Sequence, residues 1–267
     1  MNSRKSPYST LFLVAALALT ACGGTTEPET VEAAAAPAAE PAAPDLATVL
    51  ASDFRSEEDR ARDAGRKPAE VIVALGIEPG MNVLDVMAGG GWYTEVLSLA
   101  VGPDGHVTSH NTAFALQIRD GVNEKALAAR IAEGRLPNVS RLNKEVAELV
   151  PDDGPFDAAI TALNLHDIYN RGGEEAAVGA MRALYGVLKP GGVFGLIDHQ
   201  GLEGQDNAEL HRMLKADAIR VAEAAGFVVQ EDSDVLHSDI DDMTQHMRTD
   251  GIRGFTNRFL LRLRKPE

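Results

Sequence analysis

Short apolar runs and amphipathic stretches alternate along most of the chain, and this pattern predicts its secondary structure. Runs rich in β-branched and aromatic residues are typical of strands, whereas apolar residues three and four positions apart are typical of helices. Glycine and proline clusters separate the two kinds of segment. Strands are predicted at residues 83–86, 106–111, 139–143, 156–162, 193–198, 227–230 and 259–263.

The segments between these strands have the pattern of helices. Because strand and helix alternate, the predicted fold class is α/β, a doubly wound, mostly parallel seven-stranded sheet with helices on both faces. The last strand alternates apolar with basic side chains, which predicts an edge position. Helices are predicted at 68–75, 92–100 and 114–134, and two more are marked by Ala177, Met181, Leu184 and Leu188 and by Leu210, Leu214, Val221 and Ala225.

The first predicted strand ends in an acid and is followed by a glycine-rich turn. Asp85 precedes Gly89, Gly90 and Gly91, and a helix-compatible segment begins at Trp92. A turn without side chains lets a ligand approach the backbone, and the helix behind it supplies free N–H groups. The segment therefore indicates a nucleotide-type cofactor site, with a glycine-rich turn that binds nothing as the alternative.

Residues 53–64 are highly charged, with acids and arginines close together. Such a run is typical of a solvated helix or turn stabilised by local ion pairs. The alternative is that residues 59–68 cover the ligand site at the glycine turn.

The beginning of the chain has the composition of an export signal. Arg4 and Lys5 precede an apolar run at 11–19, which is too short to favour a membrane-spanning helix. The sequence Leu-Thr-Ala-Cys that ends at Cys22 resembles the lipobox of bacterial lipoproteins, which implies cleavage before Cys22 and lipidation of its thiol. Gly23 fits retention at the outer membrane, facing the periplasm. An ordinary signal peptide that ends near a cysteine is the alternative.

These features divide the chain into three parts. Residues 1–21 are predicted to be a lipoprotein signal peptide, and residues 22–44 a lipidated cysteine with a disordered tether rich in Ala, Pro and Glu. Residues 45–267 are predicted to form one domain. Since the chain has a single cysteine, it cannot build an internal disulfide or a thiolate metal site.

The formal net charge is −15 at pH 7. A surface this acidic argues against nucleic acid as a partner and against broad adhesion to anionic lipid. The lipid on Cys22 is then the predicted membrane attachment, the predicted partner is a small-molecule substrate, and no protein partner is predicted.

Three motifs in order resemble the class I, Rossmann-like S-adenosylmethionine-dependent methyltransferases: Asp85 with its glycine turn, Phe156-Asp157, and the run at 188–192. This resemblance implies S-adenosylmethionine as the cofactor and methyl transfer as the activity. More narrowly, residues 89–95, 163–167, 198–199 and 253–259 are similar to a group of exported bacterial methyltransferase-like proteins.

The resemblance also implies which residues bind the cofactor. Asp85, Gly89 and Gly91 fall on the first motif, near the methionine moiety. Asn111 stands at the end of the second strand, where the family has an acid that binds the ribose, and a plain turn role is its alternative. Asn164, after the fourth strand, is assigned to the same site. Met87 stands where the family has its first glycine, so the turn is expected to be narrowed or reshaped.

Polar residues that follow the fourth and fifth strands are the candidate catalytic groups. His166 and Asp167 follow one strand and Asp198 and His199 the next, at the edge where parallel sheets place their sites. A histidine titrates in the useful range, so His166 or His199 is predicted to act as the base, oriented by Asp167 or Asp198. For each histidine alone, a hydrogen-bonded structural role is the alternative.

Two other functions remain open. The same residues together with His211 offer nitrogen and carboxylate ligands for a divalent metal, but their spacing does not match the metal-dependent methyltransferases, and no metal is predicted. Because S-adenosylmethionine is made in the cytoplasm and the chain carries an export signal, a non-catalytic ligand-binding or scaffold lipoprotein is the second alternative. Met87 and Asn111 favour that alternative.

Overall fold

A computed structural model describes residues 45–267. The predicted signal peptide, Cys22 and the tether lie outside these residues. The strands form one sheet. The bounds predicted for the second, third and fourth strands are the observed ones. The strands are β1 (Asn82–Val86), β2 (His106–Asn111), β3 (Val139–Asn143), β4 (Phe156–Ala162), β5 (Leu188–His199), β6 (Val228–Ser233) and β7 (Arg258–Arg264).

The sheet has the order β3-β2-β1-β4-β5-β7-β6. Strands β1 to β5 run parallel to one another, and β7 is antiparallel to both β5 and β6. The predicted mostly parallel, seven-stranded sheet is therefore confirmed. Asp85 in the central strand β1 lies opposite Ser109 of β2 and Ile160 of β4, which puts the start of the glycine turn in the middle of the sheet.

The edge position predicted for the last strand is wrong. Strand β7 pairs on both sides, and Leu260, Leu261 and Leu263 are fully buried. Apolar side chains occupy successive positions because helices cover both faces of the sheet here. Strand β6 forms the edge instead.

Helices connect the strands and cover the sheet. They are α1 (Leu46–Ala51), α2 (Glu57–Ala61), α3 (Asp63–Arg66), α4 (Pro68–Leu75), α5 (Trp92–Val101), α6 (Ala113–Ile131), α7 (Leu165–Val187) and α8 (Lys215–Ala224). Non-helical residues interrupt α6 between Ile118 and Gly121 and α7 at Gly173. Among residues 45–267, no helix combines the length and apolar character needed to cross a bilayer.

Two helix boundaries differ from the prediction. Leu188 begins β5 rather than ending α7, and Leu210 and Leu214 precede α8 rather than belonging to it. His211 therefore lies in a turn, with a left-handed φ of 51°.

The core lies on both faces of the sheet, as the alternation of side chains along a strand requires. Leu84 of β1 faces α7 and α8, whereas Val83 faces α4 and α5. Helices α4, α5, α7 and α8 contribute apolar residues to these layers, for example Met181 on α7 and Leu75 on α4. This packing fixes the carboxyl ends of β1, β4 and β5 beside one another.

Candidate functional site

The glycine turn leaves β1 in a left-handed backbone conformation. The φ angles are 53° at Met87, 58° at Gly89 and 80° at Gly91. Met87 thus holds a left-handed conformation that costs a residue with a side chain about 1–2 kcal/mol. The expectation that Met87 narrows or reshapes the turn stays a prediction. The absence of a side chain is required at Gly91, where a Cβ would lie 2.8 Å from Cδ1 of Leu127.

The side-chain amide of Asn111 is bonded to the glycine turn. Its Oδ1 accepts from the N–H of Gly89 at 2.8 Å, and its Nδ2 donates to the carbonyl oxygen of Gly89 at 3.2 Å. The side chain is fully buried. An amide matches the donor and the acceptor of one peptide group, whereas a carboxylate could only accept. These bonds agree with the turn role given as the alternative for Asn111, and its contact with the ribose stays a prediction.

Asp85 is a buried carboxyl group below the turn. Its Oδ2 accepts from Oγ1 of Thr94 at 2.6 Å, and the residue is 3% exposed. Burial raises the pKa of Asp85 to about 7, against the lowering effects of the Thr94 hydrogen bonds and the positive charge of Arg66. A cationic ligand beside this group would favour its ionised form.

The turn opens on a cavity of about 440 Å³, which we name the turn cavity. Its walls are the glycine turn, Asp85, and residues of α2 and α3 with the loop between them, chiefly Glu58, Asp59, Arg62 and Arg66. A volume of this size suits a small-molecule cofactor.

The charged segment 53–64 is therefore not simply a solvated face. Asp59 is 8% exposed; its carbonyl oxygen accepts from Nε1 of Trp92 at 3.1 Å, and its carboxylate lies 2.8 Å from Arg130. These contacts hold α2 over the turn cavity. The solvated interpretation is wrong for this part of the segment, and the alternative that it covers the ligand site agrees with the structure.

Asn164 lies at the end of β4, beside a second cavity of about 670 Å³ that also borders Gly89. Its Nδ2 donates to the carbonyl oxygen of Ala162 at 3.0 Å and to Oγ1 of Thr161 at 3.1 Å. The amide nitrogen thus fixes the local chain end. Contact between Asn164 and a cofactor stays a prediction.

The predicted catalytic residues converge at the carboxyl ends of β4 and β5. Nδ1 of His166 lies 2.7 Å from Oδ1 of Asp198, and the ring centroids of His166 and His199 are 5.7 Å apart. His166 is 1% exposed. Burial opposes a charge on its ring, but the carboxylate of Asp198 outweighs burial and raises the pKa of His166 above its ordinary value. Asp198 therefore orients His166, as one of the predicted pairings requires.

His199 has a different orienting partner. Its Nδ1 lies 2.8 Å from Oγ1 of Thr256, while Asp198 contacts only its backbone N–H. Its Nε2 is buried and has no hydrogen-bond partner among residues 45–267. Burial lowers the pKa of His199 well below its ordinary value, and the positive charge of Arg258 acts in the same direction. The pairing of Asp198 with the ring of His199 is thus excluded, and Thr256 takes that place.

Three of the residues considered for a metal do come together. His166, Asp167 and His211 place ligand atoms within 4.8 Å of one another. However, a guanidinium nitrogen of Arg171 already lies 3.1 Å from Asp167. His246 is half-buried and has its ring 5.1 Å from that of His211. The cluster offers nitrogen and carboxylate donors, but the guanidinium of Arg171 would compete with a metal ion for the carboxylate of Asp167.

A third cavity adjoins the turn cavity, and the sequence did not predict it. Its volume is about 570 Å³, and we name it the arginine cavity. His199 and Leu163 form part of its wall. Its arginines come from segments far apart in the chain, so no local motif marks them beyond the run 253–259. They are Arg62, Arg66, Arg119, Arg248, Arg253 and Arg258.

Comparison with known proteins supports the fold. No family model matches the chain. A demethylmenaquinone methyltransferase of Listeria monocytogenes is 29% identical over 129 residues, which cover 48% of this chain and 49% of the relative. The chain therefore matches about half the length of this curated relative.

Solved structures match over a longer range. A methyltransferase dependent on S-adenosylmethionine from Aquifex aeolicus has a TM-score of 0.52 at 21% identity, covering 74% of this chain and 89% of that one. The 4+2 cyclase SpnF has a TM-score of 0.57 at 21% identity, covering 83% and 93%. A named cyclase among these structures illustrates that the fold alone does not determine the reaction. The chain has the Rossmann-like fold of the class I S-adenosylmethionine-dependent methyltransferases.

Proposed function

We propose that this chain is an S-adenosylmethionine-dependent methyltransferase that acts on a small molecule. The observation that carries the proposal is the turn cavity, which opens directly at Asp85 and the glycine turn after the central strand. The sheet order and the named methyltransferase relative support the same function.

The charges of the turn cavity fit the amino-acid end of this cofactor. Asp85 and Glu58 supply carboxyl groups, and Arg62 and Arg66 supply guanidinium groups. A methionine moiety carries one ammonium and one carboxylate, so each charge meets its opposite. The charges match the methionine half of the cofactor only. At the ribose half, Asn111 stands where the family has an acid, and its side chain is bonded to Gly89.

When bound, S-adenosylmethionine supplies an electrophilic methyl group. Transfer to oxygen or nitrogen further requires in-line positioning and removal of a proton from the acceptor. His199 is the base in this proposal because it borders the arginine cavity, next to the turn cavity. In the tautomer that donates Nδ1–H to Thr256, Nε2 carries the lone pair that accepts the proton. Asp198, which holds His166, also accepts from the backbone N–H of His199 and so positions this residue.

Calorimetry with S-adenosylmethionine and S-adenosylhomocysteine on the purified full chain tests the cofactor. We expect saturable binding of both, weakened about tenfold in Arg66→Gln because a charge-assisted hydrogen bond is lost. Arg264→Gln, at a half-buried position of β7 outside the cavity, is the matched control and should bind normally. No heat from either ligand at about millimolar concentration would refute the assignment.

A non-catalytic ligand-binding protein on the same fold is the second candidate. The bond between Asn111 and Gly89 favours it, because the usual ribose acceptor is missing. Such a protein would bind S-adenosylmethionine but form no S-adenosylhomocysteine when periplasmic extract supplies the acceptor. Formation of that product, dependent on His199, would exclude this candidate.

We also propose that the chain is exported and anchored through a lipid on Cys22, facing the periplasm from the outer membrane. Arg4, Lys5, the apolar run and the residues before Cys22 support this location. Labelled palmitate should be incorporated into the wild-type chain but not into Cys22→Ser. Equal labelling of the two would contradict the anchor.

A further inference from the structure

The arginine cavity is lined by cations without a carboxylate among its lining residues. This composition is unusual for a chain with a formal net charge of −15. Two of the arginines lie deep in the wall: Arg258 is 6% exposed, and Arg66 is half-buried. The other four are exposed around the mouth.

Other buried arginines of the domain have carboxylate partners. Arg55 binds Asp63 through two nitrogens at 2.6 and 2.9 Å, and Arg212 binds Asp241 in the same way at 2.8 and 2.9 Å. These pairs show how the fold compensates a buried guanidinium, because an unpaired buried charge is costly.

Arg258 has no such direct carboxylate partner, although Asp198 and Asp241 stabilise its charge from a greater distance. Its Nε donates to Thr256 at 3.1 Å, and its two terminal nitrogens donate to the carbonyl oxygens of Gly65 at 2.9 Å and Gly254 at 2.8 Å. All three acceptors are neutral, and across residues 45–267 no carboxylate lies within 4.0 Å of this guanidinium. The hydrogen bonds therefore fix Arg258 in place and leave its charge available to a ligand.

Arg66 is in a similar position. It lies over the ring of Trp92, with its guanidinium carbon 4.6 Å from the centroid. Burial and the positive charge of Arg62 lower the pKa of Arg66 to about 10, so it remains charged at neutral pH. An anion in the cavity would stabilise Arg66 and Arg258 together.

The two adjoining cavities differ in charge. The turn cavity combines carboxyl groups with guanidinium groups, whereas the ionisable groups that line the arginine cavity are guanidinium groups and the ring of His199. Arg62, Arg66 and Leu163 border both. A zwitterion suits the first cavity, and an anion suits the second.

We propose that the methyl acceptor is a small molecule with carboxylate or phosphate groups, which bind Arg258 and the arginines at the mouth of the arginine cavity. The inference rests on the methyl-transfer function proposed above. Binding of the anion does not depend on that function, because the cavity is formed by this chain's own residues. The ring of His199 borders the same cavity, and its Nε2 has no protein partner among the described residues.

The fluorescence of Trp92 provides a direct measurement, since the chain contains one tryptophan and Arg66 covers its ring. The probes are citrate, a tricarboxylate, and inorganic phosphate, each titrated into the full chain at low ionic strength and checked by calorimetry. The probe that binds more tightly identifies the anionic group. We expect saturable binding, weakened about tenfold or more in Arg258→Gln because a charge-assisted contact is lost.

Arg253→Gln provides a second variant, because this exposed side chain at the mouth can be replaced without disturbing the core. It should weaken binding several-fold even if Arg258→Gln fails to fold. Arg264→Gln, on the same strand as Arg258 but outside the cavity, should bind as the wild type does. Unchanged affinity in Arg253→Gln, or no binding of either probe at about 10 mM, would overturn the proposal.

Titrations with S-adenosylhomocysteine already present separate the two proposals. We expect the anion to bind alongside it, because the cavities are distinct. Strict competition would mean that the anion only occupies the cofactor's carboxylate site, which would overturn this inference while leaving the cofactor assignment intact. Anion binding in a chain that binds neither cofactor form would refute the methyltransferase function and retain the anion site.

Discussion

Asp198 binds His166 at two points, through its backbone and through its ring. Oδ2 accepts from the backbone N–H of His166 at 2.8 Å, and Oδ1 lies 2.7 Å from Nδ1 of the same residue. Oδ1 also accepts from the backbone N–H of His199 at 2.8 Å. One buried carboxylate therefore joins the start of α7 to the end of β5 and sets the orientation of the histidine pair.

Asp198→Asn should lower the pKa of His166 and destabilise the fold. The raised pKa of His166 contributes stability below its unfolded value, and this contribution is lost as the pH rises through the folded value. We therefore expect the free energy of unfolding to fall by about 1–3 kcal/mol, in part because the amide turns a donor toward the backbone N–H groups. The loss should be larger at pH 5.5 than at pH 8, because the contribution of protonated His166 is present only at the lower pH. Urea unfolding and a histidine NMR titration measure both effects. Asp167→Asn, at a half-buried position, is the control and should shift the pKa less; an unchanged His166 pKa in Asp198→Asn would contradict the assigned pairing.

Asp85→Asn should raise the stability of the fold at pH 8 and weaken ligand binding. Burial raises the pKa of Asp85 to about 7, so its stabilising contribution is complete below the model-peptide value of 3.8 and is lost as the pH rises to about 7. The amide in the variant stays neutral at every pH. At pH 8 the variant should therefore have a higher free energy of unfolding than the wild type, by about 1.4 kcal/mol for each unit by which burial raises the pKa of Asp85.

The same variant should bind S-adenosylhomocysteine about tenfold more weakly, because the charge opposite the ligand's ammonium is lost. Urea unfolding at pH 5 and pH 8 with calorimetry provides the two measurements. Asp104→Asn, on an exposed turn, should change neither. Wild-type stability that is equal at both pH values would show that Asp85 is ionised throughout.

Asn111→Asp should damage the glycine turn rather than restore a ribose ligand. The carbonyl oxygen of Gly89 now accepts from Nδ2 of Asn111 at 3.2 Å, and a carboxylate oxygen in that place would repel it. We expect a loss of about 1–3 kcal/mol and no gain in affinity for S-adenosylmethionine. Asn143→Asp, on the neighbouring strand at an exposed position, is the matched control for thermal unfolding. Tighter cofactor binding in Asn111→Asp would show that the side chain can leave Gly89.

The strands and the glycine turn could be predicted from the sequence because their signals are local. Short runs of strand-forming residues between turn residues predicted the bounds of β2, β3 and β4, and the acid before the glycines marked Asp85. The position of β7 could not be predicted in this way, because an alternating strand can lie at an edge or inside a sheet that is covered on both faces.

The site depends on contacts between distant segments, and these have no local signal. Asp59 is buried because Trp92 and Arg130 meet it, although its neighbours in sequence suggest a solvated face. Asn111 could satisfy its amide on a ribose or on Gly89, and only the folded turn distinguishes the two. The arginine cavity likewise gathers residues from segments between Arg62 and Arg258.

An anion that approaches this protein meets two fields of opposite sign. The formal charge of −15 repels it at long range, while the arginine cavity attracts it within about 8 Å, the screening length at physiological ionic strength. Added salt therefore screens the repulsion and raises the association rate constant, while it weakens the short-range attraction and raises the dissociation rate constant. Added salt thus improves capture of the ligand, because association is faster, and shortens its retention, because dissociation is faster.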